Sequence, residues 1–150
     1  MEANVIQNMI TPVILISAMG MVILSTANRF AKLADRITAG AQAAMNAGRP
    51  GDNPAAREFF KKILPLLKKR ASMIYWALQS EYISLTCFVL TCLFLAFDYY
   101  FKAGISIAVP ALFTGFVFLL AAAVFLVFEL KYSRAIFDLN LDYIDREKLE

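Results

Sequence analysis

The chain has 150 residues, 60% of them apolar, with a mean hydropathy of +0.61, a formal net charge of +3 and no histidine. So apolar a composition lies well outside the roughly half-apolar norm of water-soluble domains. The lack of histidine removes the commonest general base and the commonest metal ligand, so composition points away from an enzyme.

The first element is an uncharged stretch of 26 residues, Ala3 to Asn28. A helix needs about 20 apolar residues to cross a hydrocarbon core about 30 Å thick, so a first membrane span is expected over about residues 5–27. The Met-Glu-Ala-Asn start lacks the basic n-region of a secretory signal, and the span is read as retained. Ser17 and Gly20 give it a small-residue face suited to close helix packing. Gln7, Asn8 and Thr11 sit toward its outer end and, with Ser17, fall roughly on one side. They are read either as interfacial groups or as the lining of an outward-facing opening. Pro12 lies near the same end, where a kink costs least.

Directly after the span, Phe30, Leu33, Ala34 and Ile37 recur at i, i+3, i+4 and i+7, with charges on the other faces. This predicts an amphipathic helix that lies on the membrane surface or packs against a neighbour. Residues 40–54, with Gly48, Pro50, Gly51 and Asn53, read as a loop, and Pro54 as the first residue of the next helix. Phe60, Ile63, Leu67, Ala71, Ile74 and Leu78 continue as an apolar stripe that Pro65 should kink or restart.

A second span is expected over 82–101, on a long helix whose first part stands out of the inner face. A competing register would draw Glu81 into the membrane. Cys87 and Cys92, about 140° apart around a helix axis, read as small apolar residues and not as a shared metal site or a disulfide. After a tight turn at Lys102-Ala103-Gly104 comes a second uncharged run of 26 residues, Ala103 to Phe128, giving a third span over about 104–128. Ala108, Ala111, Gly115 and Ala122 form its small-residue face. At its inner end Glu129 is expected to find Arg29 or Arg36, as a clamp on helix packing or, less simply, as part of a gate. In the tail, Ile136, Leu139, Leu141 and Ile144 alternate with charges in a pattern suited to contact between helices.

Fourteen of the fifteen basic residues lie in 29–81 or after 128, and Lys102 alone lies between the second and third spans. The positive-inside bias therefore predicts an external N-terminus, with 29–81 and 129–150 cytoplasmic. The basic run Lys68-Lys69-Arg70 needs no nucleic acid to explain it, because orientation alone calls for such charge. The fold expected is all-α integral membrane: one helical domain, 1–150, with three transmembrane helices, an amphipathic cytoplasmic helix after the first span, and a long second helix reaching into the cytoplasm.

Two stretches carry a resemblance: Ile6-Gln7 through Thr11-Pro-Val-Ile-Leu-Ile-Ser-Ala-Met-Gly20, and Asn28-Arg-Phe-Ala-Lys-Leu-Ala-Asp35-Arg36-Ile37. With Leu67-Lys-Lys-Arg70-Ala and Glu129-Leu-Lys, they resemble the small bacterial membrane proteins catalogued as domain of unknown function number 2721. The resemblance covers about residues 5 to 135. It implies a three-span protein of the bacterial inner membrane and implies no activity.

No catalytic, cofactor-binding or metal-ligating residue is nominated, and no cofactor or nucleic-acid partner is expected. Two functions remain. One is a homo-oligomeric bundle, with an ion- or solute-conducting pore as one of its uses. The other is a structural or accessory protein that holds lipid or an unidentified protein partner through its basic cytoplasmic helices.

Overall fold

The computed structural model describes residues 2–45, 54–101 and 107–147, which form three helices: α1 (Glu2–Met45), α2 (Pro54–Phe101) and α3 (Ala108–Glu147). At 1.5 Å per residue these are about 66, 72 and 60 Å long, each well beyond the thickness of a hydrocarbon core. All three are long and apolar enough to cross a membrane.

The helices are more continuous than the residue pattern suggests. The amphipathic stretch after the first span is the second half of α1, unbroken from it, and α1 takes in the first part of the expected 40–54 loop. Pro65 does not restart α2, which does begin at Pro54. The turn at Lys102-Ala103-Gly104 lies outside the described residues.

The contacts divide the chain into two compact units, to each of which all three helices contribute. Unit 1 comprises residues 1–27 and 76–124, and unit 2 comprises 28–75 and 125–150. Along every helix the inward positions recur with a seven-residue period. On α2 they are Ile63, Leu67, Arg70, Ile74, Ala77, Glu81, Ser84, Phe88 and Thr91, in alternating steps of four and three. On α1 Met19, Ile23, Thr26 and Leu33 follow the same spacing, and on α3 Ala108, Gly115, Ala122, Glu129 and Ile136 stand seven apart. This is the seam spacing of left-handed helix packing, where facing side chains interlock as knobs in holes.

The outer surfaces of the two units differ in kind. Unit 1 exposes Ile10, Val13, Ile14, Met21, Leu24, Leu93, Phe97, Val109, Phe113, Val117 and Leu120. So continuous an apolar surface suits hydrocarbon and not water. Unit 2 exposes Arg29, Lys32, Asp35, Arg36, Lys61, Lys62, Lys68 and Lys69, interspersed with the exposed apolar residues Leu64, Tyr75, Val127, Phe128, Leu130, Phe137, Leu139 and Leu141. Its interior is conventional: Leu33, Ile63, Leu67, Ile74 and Ile136 form a buried cluster, flanked by Phe30, Ile37, Phe59, Phe60, Leu66 and Ala71. Ala34, read from the sequence as part of the same apolar face as Phe30, Leu33 and Ile37, is exposed.

Candidate functional site: buried carboxylates in the helix seams

Two glutamates occupy seam positions and are removed from solvent, Glu81 with 0% and Glu129 with 1% of its surface exposed. A carboxylate in such a place needs either a partner or a proton, because burying an isolated charge costs several kcal/mol even after relaxation.

In unit 2, Glu129 of α3 meets Arg70 of α2, the guanidinium Nε donating to the carboxylate Oε1. Arg70 reaches it because the seam brings position 70 inward between Leu67 and Ile74, and its side chain stays one-fifth exposed. An arginine is suited to this post, since its planar, weakly hydrated head pairs a carboxylate at modest desolvation cost while its stem lies along apolar neighbours. The sequence assigns this role to Arg29 or Arg36. Both are exposed, and Arg70 takes their place. The inward-facing partner was legible as the residue three beyond Leu67 and four before Ile74, had the stripe been followed at 3.5 rather than 3.6 residues per turn.

In unit 1, the buried side of α2 carries Ser80, Glu81, Ser84 and Thr91. Ser84 Oγ donates to the carbonyl of Gly115 on α3 at 2.8 Å, an approach that the bare glycine backbone allows. A Cβ built at Gly115 would stand 2.6 Å from Phe88 Cε1 and 3.3 Å from Cys87 Cβ. Phe88, wholly buried, meets Phe116 edge to face with ring centroids 5.5 Å apart. Thr91 is satisfied within its own helix, donating to the Cys87 carbonyl.

Glu81 is held differently. Thr26 Oγ1 of α1 lies 2.9 Å from Glu81 Oε1 and 3.1 Å from the carbonyl of Val22 one turn back. Among the described residues no donor reaches Glu81 Oε2, and none of the described residues of unit 1 is a lysine or arginine. Sequence reasoning set Glu81 at the inner edge of the second span, with a competing register that draws it inside. Here it is an interior residue, within a stretch of α2 (58–101) long and apolar enough to cross a membrane.

The remaining residues singled out from the sequence fall as follows. On α3, Ala108, Gly115 and Ala122 are buried and Ala111 is half-buried, all turned toward the interior. On α1, Ser17 and Gly20 are exposed, and a Cβ at Gly20 would meet nothing within 4 Å. The side chains of Gln7, Asn8 and Thr11 lie outside the described residues, as does that of Ile144. Cys87 and Cys92 are free thiols. Among the described residues no group of three or more cysteine or acidic side chains could hold a metal ion.

An all-helical chain with three helices fit to cross a membrane, polar inside its apolar-surfaced unit, defines a helical membrane protein. Residues 9–139 match the family described as Protein of unknown function (DUF2721), and the chain belongs to that family. No curated protein and no solved structure matches the chain.

Proposed function

We propose that this is a non-enzymatic protein of the bacterial inner membrane that works as a homo-oligomeric helical bundle, its copies meeting through α1. The observation that carries this is Gly20. A glycine inside a helix costs about 1 kcal/mol relative to alanine and returns nothing on a lipid-facing surface. Gly115 and Gly40 are crowded by Phe88 and Phe60, whereas Gly20 faces open space beside exposed Ser17 in an otherwise apolar stretch. Another backbone approaching closely, as small residues permit in lipid, gives that glycine its use. The basic residues of unit 2 support a cytoplasmic side for that unit and an external N-terminus. Polar residues of α1 turned toward a shared axis, with Ser17 among them, would then line a route for ions or small solutes.

The reading is tested by the mass of the purified full chain in detergent, alone and as Gly20→Leu. A defined oligomer that dissociates in the variant supports it. A monomeric wild type, or an oligomer indifferent to Gly20→Leu, overturns it. The exposed lysines of unit 2, Lys61, Lys62, Lys68 and Lys69, favour a second use of the same assembly, as an anchor for anionic lipid or an acidic partner.

A further inference from the structure

We infer that Glu81 and Thr26 form a binding site for a single proton, with Glu81 held as the neutral acid inside unit 1 at neutral pH. The inference goes beyond assembly and does not depend on it.

Hydrogen counting leads to it. Thr26 has one hydroxyl hydrogen and two oxygen neighbours within bonding distance, Glu81 Oε1 at 2.9 Å and the Val22 carbonyl at 3.1 Å. A carboxylate and a carbonyl are both acceptors, so one hydrogen can serve only one of them. If Thr26 donates to Glu81, the buried charge rests on a single hydroxyl, its second oxygen receives no donor, and the Val22 contact is not a hydrogen bond. If Glu81 carries a proton on Oε1, that O–H donates to Thr26 Oγ1 and Thr26 donates on to the Val22 carbonyl. Both short contacts then become hydrogen bonds, in one continuous chain. What is left over is Oε2 as a neutral carbonyl oxygen, and an under-satisfied carbonyl costs far less than an under-satisfied charge.

Among the described residues of unit 1 there is no alternative counter-charge, and Arg29, three residues beyond Thr26 on α1, is exposed and belongs to unit 2. The unit 1 parts of α1 and α3 contain one titratable described residue between them, Glu2, which lies 24 residues before Thr26, about 36 Å along the helix. On α2 the acid in the same unit is Asp98, 17 residues or about 25 Å beyond Glu81. The other titratable side chains of that stretch are Tyr82, Tyr99 and Tyr100, all exposed, and the thiols Cys87 and Cys92. None of these is a cation. A metal ion in place of the proton would need several oxygen ligands. The described residues bring one carboxylate, one hydroxyl and one main-chain carbonyl together.

The test is infrared spectroscopy of the full-length protein in lipid vesicles, read at the C=O stretch of protonated carboxyl groups. At pH 7 in sodium-free buffer the wild type should show such a band. Glu81→Gln should abolish it, while Glu129→Gln and Asp98→Asn should retain it. Thr26→Val, which removes the acceptor and the relay, should shift the band to higher frequency, and Thr26→Ser should restore its position. That shift requires a hydrogen-bonded acid and would not follow from a merely structural role for the hydroxyl. The absence of a band at pH 7 overturns the proposal, as does a band that survives Glu81→Gln. Loss of the band on adding sodium chloride at constant pH overturns it in favour of a cation site.

Discussion

The two units are built from the same three helices at the same seven-residue spacing, yet they differ in where their polar side chains sit. Unit 2 has charges outside and Leu33, Ile63, Leu67, Ile74 and Ile136 inside. Unit 1 has apolar side chains outside, and inside it encloses Thr26, Ser80, Glu81, Ser84 and Thr91 beside Met19, Ile23, Ala77, Phe88, Ala108 and Ala122. In water, burying apolar surface at about 25 cal/mol per Å² is what draws helices together, and unit 2 follows that rule. In hydrocarbon that drive vanishes, because lipid tails are as apolar as leucine. Close packing at small residues and hydrogen bonds between helices then do the work, and unit 1 shows both at Ser84 and Gly115. The two interiors thus suit different forces, apolar burial in unit 2 and close approach with interhelical hydrogen bonding in unit 1.

The same contrast governs the two buried glutamates. Glu129 sits in the unit with arginines and is held by one. Glu81 sits in the unit without a described cation and is held by a hydroxyl. The larger effect is therefore expected in unit 2. Arg70→Leu leaves Glu129 buried without a counter-charge and should destabilise the fold by about 3–5 kcal/mol in denaturant unfolding. Replacing both, as Arg70→Met with Glu129→Leu, should recover most of that loss, because no charge remains to be compensated. A double variant as unstable as the single one would show that the site needs its polarity and not merely its neutrality.

A smaller effect separates the glycines. Gly115→Ala forces a methyl group against Phe88, which is enclosed on every side, and should cost about 1–3 kcal/mol in thermal or denaturant melting. A methyl group at Gly40 would overlap the far end of the Phe60 ring, at Cε2 and Cζ, and the half-buried ring would have to move aside. Gly40→Ala should cost less than about 1 kcal/mol, offset in part by the better helix propensity of alanine. If the two substitutions cost the same, the enclosure of Phe88 is not what sets the cost at Gly115.

Much of this was readable from the residues. The two uncharged stretches and the apolar run 82–101 marked the three apolar helices, Pro54 marked the start of α2, and Ala108, Gly115 and Ala122 are buried on α3. What escaped was direction. A stripe followed through Phe60, Ile63, Leu67, Ala71, Ile74 and Leu78 stays near the seam yet steps past Arg70 and Glu81, since a 3.6-residue period drifts about 20° per heptad from a 3.5-residue one. Charge then looked like a mark of the surface, and Glu129 was matched to Arg29 or Arg36, where Arg70 is the residue facing it. Ser17 and Gly20 are as small as Ala108 and Gly115 but stand off the α1 seam, so smallness alone does not say whether a residue faces its own chain or another.

The opposed states of the two carboxyl groups are tested most directly by making one substitution, glutamate to glutamine, at each position and measuring equilibrium unfolding in the same detergent. Glu129→Gln removes the charge that Arg70 binds and should cost at least about 2 kcal/mol, in the range of a charge-assisted hydrogen bond. Glu81→Gln exchanges one neutral group for another of the same shape and should change stability by less than about 1 kcal/mol. Equal losses at the two sites would contradict the account. So would a gain of several kcal/mol from Glu81→Gln, which is what relief of a buried, unpaired charge would produce.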